Sequence, residues 1–224
     1  MKYFIIADIA GQYDALMRLI ARAPKDSTIV AVGDLVDRGP DSNKVIEYFM
    51  ANPQHLVVMG NHEHMMLDYL TERKFYGNGV WFGNGGLRTL GSYQDYPDMK
   101  VPESHIEWLK GLRWAVSVRD PSGRELLITH AALDPKFEDV AQSVKKFSDD
   151  SVFWNRGEPI KRNFFQVFGH NSHWGLRWFS DADGEWAVCI DQSRKEILTA
   201  FQWPEKTIVT EPYKQTEHAK GAEL

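Results

Sequence analysis

Residues 33–39 read Gly33-Asp34-Leu35-Val36-Asp37-Arg38-Gly39, and an apolar run, Ile29-Val30-Ala31-Val32, leads directly into them. A short apolar run closing on a glycine predicts a buried strand followed by a turn. Two carboxylates and a guanidinium gathered in that turn are costly to place together unless they bind something. Asp34 reads as a metal bridge, Asp37 as a histidine orienter and Arg38 as a phosphate clamp.

The pattern repeats on both sides of this stretch. Residues 2–7 form an apolar strand ending at Asp8, and Leu56-Val57-Val58-Met59 ends at Gly60-Asn61-His62-Glu63. Between the first two strands, Tyr13, Leu16, Met17 and Ile20 recur at helical spacing until Pro24. Between the second and third, Asp41 or Ser42 can cap a helix that carries Val45, Ile46, Phe49 and Met50 and stops near Asn52-Pro53. This β-α-β-α-β alternation predicts an α/β fold with functional groups clustered outside the carboxyl ends of the strands. The Gly- and aromatic-rich residues 75–93 match neither nucleotide-binding fingerprint and predict a tightly turned packing segment. A helix is expected from Pro102 to Leu112. Beyond it the chain turns to strands, at 113–119, 124–129, 164–168, 174–180, 185–190 and 196–203, with a hairpin at Asp181-Ala182-Asp183-Gly184. The expectation is one domain over 1–210 and a polar tail over 211–224, since no linker or repeat divides the chain.

With 43% hydrophobic residues among 224, the chain can bury a full core. A net charge of −5 with no basic block excludes a broad nucleic-acid or anionic-membrane footprint. Cys189 is the only cysteine, which excludes an internal disulfide and a cysteine-rich zinc module. The first residues hold too few apolar side chains for a signal peptide or a membrane span, so a cytoplasmic location is the expectation.

The polar residues just beyond the expected strands are Asp8, Asp34, Asp37, Arg38, Asn61, His62, His130 and His170. Carboxylate, amide oxygen and imidazole together suit a divalent metal such as Mn²⁺, Fe²⁺ or Zn²⁺. Asp8-Ile9-x-Gly11, residues 33–39, Gly60-Asn61-His62-Glu63, His130-Ala131 and Gly169-His170, in this order, resemble the signature series of the calcineurin-like metallophosphoesterases. Within them the chain is most similar to the phosphoprotein phosphatase branch, and to small bacterial and phage enzymes of the lambda phosphatase type. Met65-Met66-Leu67-Asp68 and Trp154-Asn155-Arg156 strengthen that closer match.

The resemblance implies two mixed β-sheets packed as a sandwich and flanked by helices. It implies two divalent ions, Mn²⁺ foremost, with Asp34 bridging, Asp8 serving the first, and Asn61, His130 and His170 serving the second. His62, held by Asp37, would be the general acid, and Arg38 and Arg156 would hold phosphate. Glu63 is expected to brace the following helix rather than bind metal. His55, His64, His105, His173 and His218 match no family position and read as surface or packing residues; His173, close in sequence to His170, calls for a structural check. The leading expectation is hydrolysis of a phosphoserine, phosphothreonine or phosphotyrosine in a protein or peptide, or of a small phosphate ester, by a metal-bound hydroxide. The alternatives are a diadenosine tetraphosphatase-like hydrolase and a phosphate-binding pseudophosphatase. Residues 75–114 and 134–163 are expected to form the substrate groove.

Besides a mild change at Ala7, where the family has glycine, the chain departs from the resemblance at four residues. Ala10 stands where the family has a histidine ligand of the first metal, and its side chain coordinates nothing. A substitution introduced to slow the enzyme, a natural loss or change of activity, and replacement by water or by a neighbour such as Gln12 all fit, the first best because the other ligands are intact. Met59 stands where many relatives have a phosphate-gripping arginine, and Gln192-Ser193 replaces the usual Thr-Gly after Asp191. Weakened first-metal affinity and slower turnover are expected.

Overall fold

The structure, a computed structural model, describes residues 2–73, 75–77, 79–120, 122–134 and 153–214. Strands β1 (Lys2–Ile6), β2 (Ser27–Ala31) and β3 (Leu56–Val57) lie parallel, with Ile6 opposite Ala31 and Ala31 opposite Val57. Helices α1 (Tyr13–Ile20) and α2 (Ser42–Ala51) make the crossovers. β3 is shorter than the sequence suggests because Val58 and Met59 turn to Arg113, whose carbonyl accepts the Met59 amide at 2.7 Å. The returning strand β9 (Ile197–Trp203) runs antiparallel to β1.

One strand was not anticipated. β10 (Thr207–Pro212) pairs with β9 and carries the ordered chain past the expected boundary at 210. Its short, mixed sequence gives little periodicity; α1 fixes it instead, with Arg22 Nη1 donating to the Thr210 carbonyl at 2.8 Å and Arg18 Nη2 to that of Pro212 at 2.5 Å. Residues 215–224 of the expected tail lie outside the described residues.

The second sheet holds β4 (Ala115–Arg119), β5 (Glu125–Thr129), β6 (Phe164–Phe168), β7 (Arg177–Asp181) and β8 (Gly184–Cys189), in the order β4-β5-β6-β8-β7. β5, β6 and β8 are parallel and the edges antiparallel, so both five-stranded sheets are mixed, as expected. The β7–β8 hairpin turns at the expected place, with Gly184 at φ +110°, a conformation that glycine adopts without strain.

Alternation along β1 shows how the layers form. Tyr3, Ile5 and Ala7 face the second sheet, packing with Val116, Leu126, Phe165 and Val188, while Phe4 and Ile6 face the helices. Phe165 stacks on Phe201 across the sandwich at 5.7 Å between ring centres. α1 is rotated relative to its sequence pattern: Ala15, Leu16 and Leu19 are buried, whereas Tyr13, Met17 and Ile20 are half-buried. The helix sits between α2, β9 and β10, so its apolar stripe serves three neighbours.

Helix α3 (Asn61–Leu70) follows β3 directly. The Gly-rich segment folds into α4 (Val80–Gly83) and α5 (Gly86–Ser92), and α6 (Glu103–Lys110) follows. Gly86 is required there, since a Cβ would lie 2.6 Å from the ring of buried Trp81. Among the described residues no helix is long and apolar enough to cross a membrane.

Candidate metal and phosphate site

The turns after β1, β2, β3, β5, β6 and β8 meet at one edge of the sandwich. They form a cleft of about 320 Å³ whose lining includes Asp8, Ala10, Asp34, Arg38, Asn61 and His62 from the first sheet's side, and His170 and Asp191 from the second's. The backbone there is contorted: Ala10, Asp34, Asp37, Arg38 and His170 all lie at φ between +49° and +71°. For residues other than glycine this costs on the order of 1 kcal/mol each, and such strain gathers where side chains must be aimed. Histidine is enriched in the left-handed region, so the backbone at Ala10 suits the imidazole that the family places there. Two glycines admit the close approach of the turns. A Cβ on Gly33 would sit 2.5 Å from the Gly60 nitrogen, and one on Gly169 only 1.9 Å from Asp8 Oδ1.

Asn61 Oδ1 is the meeting point of one group of donors. It lies 2.8 Å from His130 Nε2 and 3.1 Å from His170 Nδ1. Asp34 Oδ1 is 3.4 Å from His130 Nε2, and single atoms of Asp8, Asp34 and His130 lie within 4.8 Å of one another. His130 Nδ1 donates to the Val32 carbonyl at 3.0 Å, which fixes the tautomer and aims the Nε2 lone pair at Asn61. Burial lowers the pKa of His130, and burial with His130 nearby takes His170 down to about 3, so both imidazoles are neutral near neutral pH. With its hydrogen on Nδ1, His130 turns a lone pair toward Asn61 Oδ1 at 2.8 Å, and two acceptors this close favour a cation between them. Buried His170 Nε2 also has no hydrogen-bond partner. The donor set fits a divalent metal.

The carboxylates divide unevenly. Burial would raise Asp34, but His130, His62, His170 and Arg38 together pull it down to about 2. Asp8 accepts the His170 amide at 3.1 Å, yet burial and the neighbouring Asp191 and Asp34 push it well above the usual carboxylate range. Asp191 is also buried and raised, by burial foremost. Sequence reasoning missed Asp191 as a cleft residue, although it follows a strand just as Asp8 and Asp34 do. Gln12 is half-buried at the start of α1 and does not line the cleft, so it does not take the place of the missing imidazole.

Beside the donor set stands a proton-handling pair. His62 Nδ1 lies 2.5 Å from Asp37 Oδ2. Asp37 is itself held by Thr89 Oγ1 at 2.6 Å and Trp81 Nε1 at 3.1 Å. The segment expected only to pack therefore also anchors this carboxylate, through α4 and α5. Burial lowers the pKa of His62, but Asp34 and Asp37 outweigh it and hold the imidazole above its ordinary value. Arg38 Nη2 lies 3.1 Å from His62 Nε2. Glu63 braces rather than ligates: it accepts the amides of Asp34 at 2.8 Å, Leu35 at 2.7 Å, Val36 at 3.3 Å and Gly60 at 2.9 Å.

Arg156 lines the cleft with an exposed guanidinium, next to half-buried Trp154, whose ring meets His170 edge-on at 5.9 Å. Met59 is buried in the helix-side core and takes no part in the cleft. Nor does His173, which pairs with Arg177 at 3.0 Å. His64 and His105 are buried packing residues, bonded to Tyr76 and Tyr93, and His55 is half-buried against Tyr48. His218 lies outside the described residues, as do residues 135–152 of the expected groove.

The family profile of the calcineurin-like phosphoesterases matches residues 1–198. The chain is 33% identical over 190 residues to the symmetrical bis(5'-nucleosyl)-tetraphosphatase of Delftia acidovorans, a match covering 82% of this chain and 61% of that one. It is 30% identical over 185 residues to the protein of the same name from Coxiella burnetii strain RSA 331, covering 81% and 57%. This chain thus spans about three fifths of the length of the curated relatives it matches. Among solved structures, a candidate diadenosine tetraphosphatase superposes with a TM-score of 0.68 at 22% identity, covering 96% of this chain and 95% of that one. The cold-active protein-tyrosine phosphatase of a Shewanella species gives 0.59 at 18%, covering 95% and 78%. At these identities both show the fold alone.

Proposed function

We propose, for a chain that belongs to the calcineurin-like phosphoesterase family, that it hydrolyses the phosphoanhydride chain of a dinucleoside polyphosphate rather than a phosphoprotein. The identity of about a third to named symmetrical tetraphosphatases, over four fifths of the chain, carries this reading. The expected phosphoprotein phosphatase activity gives way to the nucleotide alternative, because the solved protein phosphatases that superpose on this chain, at 18% and 13% identity, support the fold alone.

Asp34, Asn61, His130 and His170 would hold one divalent ion, and Asp8 with Asp34 a second, less complete site. When bound, such ions polarise phosphoryl oxygens and activate water for attack. The remaining work belongs to the side chains. Arg38 and Arg156 present planar forks to the phosphoryl oxygens. A phosphate entering the cleft draws Arg38 off His62 Nε2, which then faces the leaving oxygen and gives it a proton. Asp37 keeps that imidazole charged and oriented. A symmetrical cut of a tetraphosphate consumes one water and yields two nucleoside diphosphates. One diphosphate keeps the attacked phosphorus and gains the water's oxygen, and the other departs as a stabilised anion, so the demand on His62 is lighter than for an alkyl ester.

Incubation with diadenosine tetraphosphate and Mn²⁺, followed by chromatography of the nucleotides, tests the reading. ADP as sole product is expected; faster phosphate release from a phosphopeptide, or AMP with ATP as products, would sink it. Ala10 favours a second reading, a phosphate-recognising protein with little turnover. One tightly held metal and no hydrolysis of any phosphate ester, even after Ala10→His, would support that reading instead.

A further inference from the structure

After β8 this chain places Asp191-Gln192-Ser193-Arg194, where the family resemblance leads one to expect Asp-Thr-Gly. The departure adds side chains to the cleft wall. Ser172, Ser193 and Arg194 all line the same cleft as Arg38 and Arg156. A single 3₁₀ turn, Ser193–Lys195, carries Arg194. The turn is tied down: the Arg194 amide donates to Ser172 Oγ at 2.9 Å, and the Ser193 hydroxyl donates to the same oxygen at 2.9 Å. A hydroxyl has two acceptor positions and one hydrogen, so Ser172 Oγ is filled as an acceptor and its own hydrogen remains to be donated. The Arg194 guanidinium is exposed at the cleft and pairs with no carboxylate among the described residues. Both groups are therefore donors at the cleft wall with no acceptor among the described residues.

We propose that Arg194 and Ser172, with Ser193 as their support, form a second phosphate subsite. It would hold the phosphate next to the one under attack. The proposal rests on reading the cleft as a polyphosphate site and names what would select such a chain. A phosphomonoester offers one phosphate, which Arg38 and Arg156 already serve. A diphosphate segment would offer Arg194 a second phosphate, whose oxygens a guanidinium fork matches. Arg194 is thus a specificity residue, separate from the residues that handle the transferred group.

Calorimetric titration of the full chain with ADP and with AMP, at fixed free Mn²⁺, reads the subsite, since ADP can fill both positions and AMP only the first. ADP is expected to bind at least about tenfold more tightly than AMP. In Arg194→Gln that ratio falls toward one, in Arg194→Lys it is intermediate, and in Ser172→Ala it drops a few-fold. An unchanged ratio in Arg194→Gln, no preference for ADP in the unsubstituted chain, or Arg194-dependent selection of acidic over neutral phosphopeptides with none for ADP would each overturn the proposal. The two readings fail separately. If diadenosine tetraphosphate is not hydrolysed but the ADP preference still depends on Arg194, the subsite stands and the substrate assignment falls. If ADP is the product and Arg194→Gln keeps the ratio, the subsite falls alone.

Discussion

Replacing Asp37 by Asn tests the proton-handling pair most directly. The Asp37 carboxylate is fully buried and accepts from His62 Nδ1 at 2.5 Å, Thr89 Oγ1 at 2.6 Å and Trp81 Nε1 at 3.1 Å. Asn keeps an acceptor for Thr89 but sets an N–H against the imidazole. A charge-assisted bond of this kind contributes roughly 1.5–3 kcal/mol, which corresponds to about 1–2 pKa units at His62. His62 is held above its ordinary value, so it loses its proton only as pH rises through that raised pKa. In the variant that loss moves to lower pH. At about pH 8 kcat on phenyl phosphate should fall some 10- to 100-fold, within the range general acids contribute. On 4-nitrophenyl phosphate, whose leaving group needs no proton, the fall should be several-fold at most. Near pH 6 the variant should approach the parent chain on both esters. Rate–pH profiles with the two esters, alongside a thermal melt to confirm folding, check this. An equal, pH-independent loss on both would show that Asp37 acts only on the architecture and refute the acid assignment.

Three further outcomes follow from the geometry. Ala10→His should tighten the weaker of two Mn²⁺ binding events in calorimetry and speed hydrolysis of an aryl phosphate by at least about tenfold; no change in either removes Ala10 as the cause of weak turnover. Glu63→Gln leaves two of its four amide donors facing an NH₂ group, so denaturant unfolding should show a loss on the order of 3 kcal/mol. A loss below about 0.5 kcal/mol would mean that the brace is dispensable. Mn²⁺ at a hundred times its Kd should stabilise the fold by about 2.7 kcal/mol, reversed by EDTA. A melt insensitive to both would argue against the donor set as a metal site.

Much of the architecture was legible because the first half repeats one rule. Asp8, Asp34 and Asn61 each follow a short apolar run, and strand-end placement identifies them without three-dimensional information. The same rule reaches His130 and His170 in the second half, and applied once more it would have reached Asp191. What it cannot see is support from distant elements. Thr89 and Trp81 find Asp37 only after the Gly-rich segment folds into two short helices, and nothing in their spacing marks them as partners of a residue some fifty positions earlier. β10 escaped because its pairing depends on β9 and on Arg18 and Arg22, so its own periodicity carries little signal. The length of β3 was overestimated because Val58 and Met59 are claimed by Arg113, a long-range competition that no local window contains. Arg194 was hidden differently: a lone exposed arginine is ordinary in sequence, and only its turn beside Ser172 makes it a candidate ligand group.

The donors at the cleft hang from two separate sheets: Asp8, Asp34 and Asn61 from the first, His130, His170 and Asp191 from the second. Ions bound there would act as a clasp across the seam of the sandwich. Slippage of one sheet over the other and release of the metal would then be a single event observed from two sides. A core substitution far from the chemistry, such as Phe165→Leu at the stacked Phe165–Phe201 contact, should therefore register in the metal's escape rate before it registers in the melting curve.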